Sequence, residues 1–356
     1  MSHQTVFERR APEPSAVAHA LGASQQTVFW LDGLDAASHE PLRGGHRADL
    51  TVVGGGYTGL WTAVLAKRRD PSRRVVLLES QEIGWAASGR NGGFAEASLT
   101  HGEQNGRSRW PDEYDTLERL GRENLAGLER DVRDLGLDAE LERTGVLSVA
   151  YEPHQVRWLE EMDEGTWLDE DAVKAEINSP IVRAGRWQTG ETVLVHPGKL
   201  AKELARAAVE LGVEVHEYSA VTGIESGGRG AVRVHTTQGH VVSDRVALCT
   251  NVFRPLLRRA RLMTVPVYDY VLMTEPLSTE QMGSIGWRHR QGLADLANQF
   301  HYSRLTADDR ILYGGYDAIY HSGRQVRSEY EDRPASYETL ASHFLTTFPQ
   351  LEGVRF

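Results

Sequence analysis

Three consecutive glycines followed by Tyr57, Thr58 and Gly59 carry the clearest chemical signal in the chain. Gly54-Gly55-Gly56-Tyr57-Thr58-Gly59 has the spacing G-x-G-x-x-G. In that pattern the first glycine permits a tight turn, the second lets a pyrophosphate approach the backbone, and the third lets a helix pack close to a strand. A helix starting there turns its free N–H groups and positive dipole end toward phosphate charge. Glu79 lies 20 residues after Gly59, with Ser80 beside it. A carboxylate in that place accepts hydrogen bonds from ribose hydroxyls and repels a ribose phosphate. The chemistry indicated is the holding of a dinucleotide that lacks a 2′-phosphate, and the glycine pattern alone leaves nicotinamide and flavin both open.

These residues need a strand, a helix and a second strand to position them. Asp49 to Val53 reads as a strand buried on both faces. Leu60, Trp61, Val64 and Leu65 recur at helical spacing until Asp70-Pro71-Ser72, and Val75 to Glu79 forms the second strand. The unit is a right-handed parallel crossover. A nicotinamide domain continues with a further helix and parallel strand, whereas residues 81–108 form a stretch rich in Gly, Ser and Asn. Within it, Ser88-Gly89-Arg90-Asn91-Gly92-Gly93 combines small residues, which let backbone lie against a flat ligand, with the donors of Arg90 and Asn91.

Leu117, Leu120, Leu125, Leu128, Val132 and Leu135 mark an amphipathic helix ending near Gly136. A strand over 145–151, a helix capped by Asp169 and a helix opened by Pro197 and ended by Gly212 follow. From Val213 the period changes to two, and the segments 213–215, 220–224, 232–236 and 241–242 read as a meander leading into the strand 245–250. Further strands are expected at 265–274, 299–305 and 310–315, with a helix over 337–348.

Composition removes several function classes. With 39 basic and 50 acidic residues the net charge is −11, which argues against nucleic acid as a partner. The single cysteine, Cys249, excludes a disulfide framework and thiolate-rich metal sites. The histidines show no metal-ligand spacing, so no metal is expected, and neither a G-x-S-x-G elbow nor a P-loop occurs. No apolar run reaches the ~18 residues of a membrane span. The first thirty residues lack the pattern of a secretory signal, and the expected location is the cytoplasm.

The glycine fingerprint, Glu79, the Ser88 to Gly93 run and the later meander together resemble the FAD-dependent amine and amino-acid oxidase family that includes D-amino-acid oxidase, glycine oxidase and sarcosine oxidase. The wording of Ser88 to Gly93 and the N-terminal Trp30-Leu31-Asp32 resemble its gamma-glutamylputrescine oxidoreductase branch most. The resemblance implies an α/β fold, with a Rossmann-like FAD-binding domain of the two-dinucleotide type interleaved with an α+β substrate domain on a large mixed sheet. The expected division is an N-terminal arm, extended or partly ordered, over 1–46, FAD-binding segments 47–108 and 190–264, and substrate segments 109–189 and 265–356. It adds Val221, Thr250 and Asn251 to the FAD-binding residues Gly54, Gly55, Gly56, Tyr57, Thr58, Gly59, Glu79, Ser80, Ser88, Gly89, Arg90, Asn91, Gly92 and Gly93. It makes Tyr268, Tyr270, Tyr302 and Arg304 the candidate substrate-lining side chains.

The implied reaction is oxidation of the CH–NH group of an amine, such as a gamma-glutamyl polyamine, by hydride transfer to flavin. The imine then hydrolyses, and electrons pass to O2 or another acceptor. An amino-acid substrate such as glycine, sarcosine or a D-amino acid, and a non-catalytic FAD-binding protein or subunit, remain open beside it. The resemblance also leads one to expect a closing FAD-domain segment beyond Phe356, which makes the chain look C-terminally truncated.

Overall fold

The computed structural model describes residues 4–34, 38–228 and 230–356, and two sheets organise them. In the first, Gly44–Val53 runs parallel to Val75–Leu78 on one side and to Gly239–Leu248 on the other. Val213–His216 extends the sheet, parallel, beyond Val75–Leu78. Ala231–Thr236 and Val221–Gly228 add antiparallel strands beyond Gly239–Leu248.

Every residue of Val75–Leu78 is buried, as a central parallel strand requires. The helices Tyr57–Arg69 and Pro197–Glu210 cover one face, where Leu60, Ala63 and Val64 meet Leu200, Leu204 and Ala208. The other face packs Leu42, Ala48, Val53, Val76 and Leu78 against Val234 and Val241 of the meander.

Two sequence expectations change here. Val213–His216 is the parallel end of a second crossover through helix Pro197–Glu210, and the meander begins at Val221. Its alternating burial is the same for a parallel edge strand and a hairpin strand, so periodicity does not separate them. Gly239–Leu248 is one continuous strand, which residues 241–242 and 245–250 divided on paper.

The second sheet has seven strands in the order 271–273, 311–315, 301–305, 292–295, 146–150, 184–188 and 166–168. Its pairs are antiparallel except Gly292–Asp295 with Val146–Ala150. One face is closed by helix Pro334–Thr347, whose Leu340 and Phe344, with the C-cap Phe348, join Leu147, Trp287, Leu305 and Tyr313 in a single core.

The expected arm over 1–46 is corrected in its described part, since residues 1–3 and 35–37 lie outside the described residues. Val6–Arg9, held by a Thr5/Glu8 capping box, and Pro14–Leu21 are helices packed on the second sheet's core, with Val6 and Phe7 buried in it. Helices of four and eight residues are too short to show a period.

The helix Tyr114–Asp134 buries Leu125 and Val132 in the first sheet's cluster. The change from one apolar cluster to the other falls between Leu141 and Leu147, whereas the expected domain boundary was residue 109. Among the described residues no helix is long and apolar enough to cross a membrane.

Candidate functional site

A cavity of about 730 Å³ opens where the carboxyl ends of the first sheet's strands face the second sheet. Open α/β sheets place their ligands at this position. Of the proposed cofactor residues, Gly54, Gly56, Tyr57, Thr58, Glu79, Ser80, Ser88, Arg90, Asn91, Gly92, Val221, Thr250 and Asn251 line it.

The glycine turn shows why side chains are excluded. Gly54 has φ +114°, and a Cβ there would lie 2.5 Å from the Cys249 carbonyl oxygen. A Cβ on Gly56 would lie 2.8 Å from Ser88 Oγ, which accepts the Tyr57 N–H at 3.0 Å. Gly56 itself is the N-cap of helix Tyr57–Arg69 and supplies no capping side chain. Opposite, Asn251, in the turn three residues beyond strand Gly239–Leu248, has φ +45°, a left-handed conformation that Asn tolerates better than most residues.

Gly55, Gly59, Gly89 and Gly93 do not line the cavity, which corrects their direct assignment. Each meets protein instead. A Cβ on Gly59 would fall on the Gly54 carbonyl, one on Gly89 on the Gly84 carbonyl, and one on Gly93 on the Val195 carbonyl. One on Gly55 would lie 2.6 Å from Ile83 Cδ1. These glycines close the turn and the loop against neighbouring chain.

Glu79 is buried on the cavity wall, and its two oxygens accept from Gly55 N (2.6 Å), Ser80 Oγ (2.8 Å), Gln81 N (2.9 Å) and Trp85 Nε1 (2.9 Å). Three of these donors bond Oε1, and the Gly55 N–H bonds Oε2. Glu79 therefore braces the glycine turn to the loop that follows it, a task beyond the ribose contact expected from sequence.

At the second-sheet end stand Tyr268, Tyr270 and Tyr302, with Asp269 among them. Tyr302 Oη donates to Asp269 Oδ2 at 2.7 Å, and Tyr270 Oη donates to the Tyr330 carbonyl at 2.6 Å. Solvent reaches Asp269 through the cavity, yet enough protein surrounds the carboxyl that burial pushes its pKa above the ordinary aspartate value, against the lowering effect of the Tyr302 hydrogen bond. Burial beside Asp269 also holds the Tyr302 phenol well above its usual range. Strand alternation sends the neighbouring His301 to the opposite face. There it bonds Asp295 (2.7 Å) and His343 (2.9 Å) under Phe7, and burial pushes His343 down to about 3.

Arg304 is not at the cavity, and its expected place among the substrate-lining side chains is corrected. It is 2% exposed, donates to the carbonyls of Val195 (2.6 Å) and Gly93 (3.3 Å), and lies over the Trp30 ring at 5.4 Å. Desolvation pushes its pKa down to about 10.

The residues 326–331 had no sequence signal as part of the site. Glu331 pairs with Arg90 at 2.8 Å, and Val326 and Glu331 line the cavity. Trp85, Phe253 and Arg254 were missed for the same reason, being single residues in irregular loops. The run Tyr268-Asp269-Tyr270, an acid between two aromatics before a strand, held the signal for Asp269.

A glycine turn, an acid at the end of the second strand and a cavity shared with a second sheet define a dinucleotide-binding architecture. Residues 49–356 match the family model described as "DAO: FAD dependent oxidoreductase". The chain is 31% identical over 326 residues to gamma-glutamylputrescine oxidoreductase of Escherichia coli, covering 86% of this chain and 71% of that protein. It is 27% identical over 344 residues to the probable oxidoreductase OrdL of Haemophilus influenzae, covering 88% and 72% respectively. Glycine oxidase from Geobacillus kaustophilus shares the fold at a TM-score of 0.64 and 20% identity, covering 87% of this chain and 80% of that one. The chain belongs to the DAO family of FAD-dependent oxidoreductases.

Proposed function

We propose that this oxidoreductase oxidises the CH–NH group of an amine, a gamma-glutamyl polyamine or a near analogue, with FAD lying along the cavity. The observation that carries the choice of amine is the end of the cavity at Asp269. The ionisable groups that Tyr268 to Tyr270 and Tyr302 bring there are acidic, and Arg304, the residue that would anchor a carboxylate, is committed to two backbone carbonyls. A carboxylate among aromatic rings suits an ammonium group.

The residues present fit FAD, because Gly54 and Gly56 line the cavity without side chains, at positions where a Cβ would strike the Cys249 carbonyl or Ser88, and the N-cap Gly56 leaves the start of helix Tyr57–Arg69 facing the cavity. Gly54, Gly56, Tyr57 and Thr58 would hold the pyrophosphate. Glu79 and Ser80 would flank the ribose, and Val221, Thr250 and Asn251 the remaining walls. When bound, FAD supplies the two-electron acceptor for the substrate carbon. The chain's own residues bind the amine and orient it between Tyr268 and Tyr302. Asp269, with its raised pKa, is placed to take the proton that an ammonium must lose before its carbon can donate hydride.

Anaerobic mixing of the FAD-loaded protein with gamma-glutamylputrescine, putrescine, glycine, sarcosine and D-alanine tests the reading. Flavin bleaching by the gamma-glutamyl amine at low concentration supports it. Faster bleaching by any of the amino acids refutes the amine assignment, since the activity for which the Escherichia coli relative is named then does not extend to this chain.

A further inference from the structure

A second site lies outside the cavity, where His46, Glu214 and His216 converge. His46 belongs to the central strand Gly44–Val53, and Glu214 and His216 to the edge strand Val213–His216. Glu214 Oε2 is 3.3 Å from His46 Nδ1 and 3.9 Å from His216 Nε2, and the candidate ligand atoms all lie within 4.8 Å of one another.

The opposite nitrogen of each ring settles the tautomers. His46 Nε2 is 3.1 Å from the Arg43 carbonyl, and His216 Nδ1 is 2.8 Å from the Glu40 carbonyl. A carbonyl only accepts, so both of those nitrogens carry hydrogen. In neutral rings His46 Nδ1 and His216 Nε2 are then lone pairs, facing a carboxylate that has only lone pairs to offer. A proton on His46 Nδ1 would satisfy the pair with Glu214. His216 Nε2 would still be without a donor, and it is a buried atom with no hydrogen-bond partner among the described residues. A divalent cation satisfies all three groups together.

We infer that His46, Glu214 and His216 form a binding site for a divalent cation of the zinc class, with a water completing four-coordination. Two imidazoles and a carboxylate suit zinc, and ring N–H groups held by backbone carbonyls are the usual second layer around a ligating histidine. Tetrahedral zinc spaces its nitrogen and oxygen ligands about 3.4 Å apart. The His46 to Glu214 separation of 3.3 Å meets that already, and the Glu214 side chain, 56% exposed, is free to swing toward His216. The ion would staple residues 40–46 to the edge strand of the first sheet. Sequence spacing conceals the set, because 168 residues separate His46 from Glu214.

Zinc ions titrated calorimetrically into the tag-free, FAD-loaded protein provide the test, with the melting temperature followed in parallel. The expected result is saturable binding of one ion per chain and a zinc-dependent rise in melting temperature. Both should weaken by at least about tenfold in affinity in His216→Ala and in Glu214→Gln. Glu214→Gln keeps the side-chain shape, so its loss of binding with an unchanged near-ultraviolet circular dichroism spectrum separates ligation from folding. His235→Ala, at a half-buried histidine paired with Glu225 at 2.9 Å, and Cys249→Ser should bind as the parent does. Absence of saturable binding in the parent, or undiminished binding in a His46→Ala/His216→Ala double variant, overturns the assignment.

Discussion

At the glycine end of the cavity the groups that line it are backbone: Gly54 at φ +114°, Gly56 without a side chain, and the start of a helix. At the other end they are side chains, Tyr268, Asp269, Tyr270 and Tyr302, carried on or beside strands of a different sheet. Backbone recognition is tied to local sequence, since the turn, its acid and its helix occupy residues 49–79. Side-chain recognition is assembled from segments brought together only by the tertiary fold. The first end therefore rejects added atoms, while the second end is tuned by exchanging them.

The strongest way to break this contrast is Gly56→Val. A branched side chain would meet Ser88 and fill the approach to the helix start, so FAD is expected to be lost on gel filtration, read from the 450 nm to 280 nm absorbance ratio. Retention of FAD at the parent's affinity would place the cofactor elsewhere.

Arg304→Ala comes next, and it tests whether a side chain near the second end serves structure alone. Two buried carbonyls lose a charged donor, and the expected cost is about 3 kcal/mol, seen as a fall of several degrees in melting temperature. The KM for the amine should move far less. A large KM change with an unchanged melting temperature would return Arg304 to the substrate.

Asp269→Asn should raise KM for the amine about tenfold, close to 1.4 kcal/mol, with FAD retained. The parent's kcat/KM should increase as pH rises through the Asp269 pKa, which burial has moved above the ordinary carboxylate value, and the variant should lose that limb. The stability sign is opposite. A raised carboxyl pKa means the fold favours the protonated form, so this group's contribution is present below its unfolded pKa and is lost as pH rises through the folded one. An unaltered pH profile in the variant would remove Asp269 from the reaction.

The smallest effect is expected of Tyr270→Phe. The ring stays and the hydrogen bond to Tyr330 goes, about 1 kcal/mol of stability in a urea titration, with little change in KM. A tenfold loss of kcat would show that the hydroxyl reaches substrate.

The same contrast explains what could be read before the structure. Glu79 and Gly54 to Gly59 declare themselves because the glycine spacing, the acid and the apolar strand segments 50–53 and 75–78 that flank them follow one another between residues 49 and 79. Arg304 misled because burial of an arginine depends on two carbonyls 109 and 211 residues away. The N-terminal helices escaped because Phe7 finds its stacking partner, His343, near the far end of the described chain. Glu331 escaped because its partner Arg90 lies on another element altogether.

The placement of Gly44–Val53 at the centre of the first sheet has a consequence for synthesis on the ribosome. Val75–Leu78 can pair with one side of that strand soon after it emerges, but its other partner, Gly239–Leu248, is translated nearly two hundred residues later. At about 5–20 residues per second, the apolar edge waits on the order of 10–40 s for its neighbour. During that interval the polypeptide between them, including the first strands of the second sheet, is already outside the tunnel. The nascent dinucleotide layer is thus an open edge awaiting closure, and strand addition by another nascent chain is the hazard it faces before residue 248 arrives.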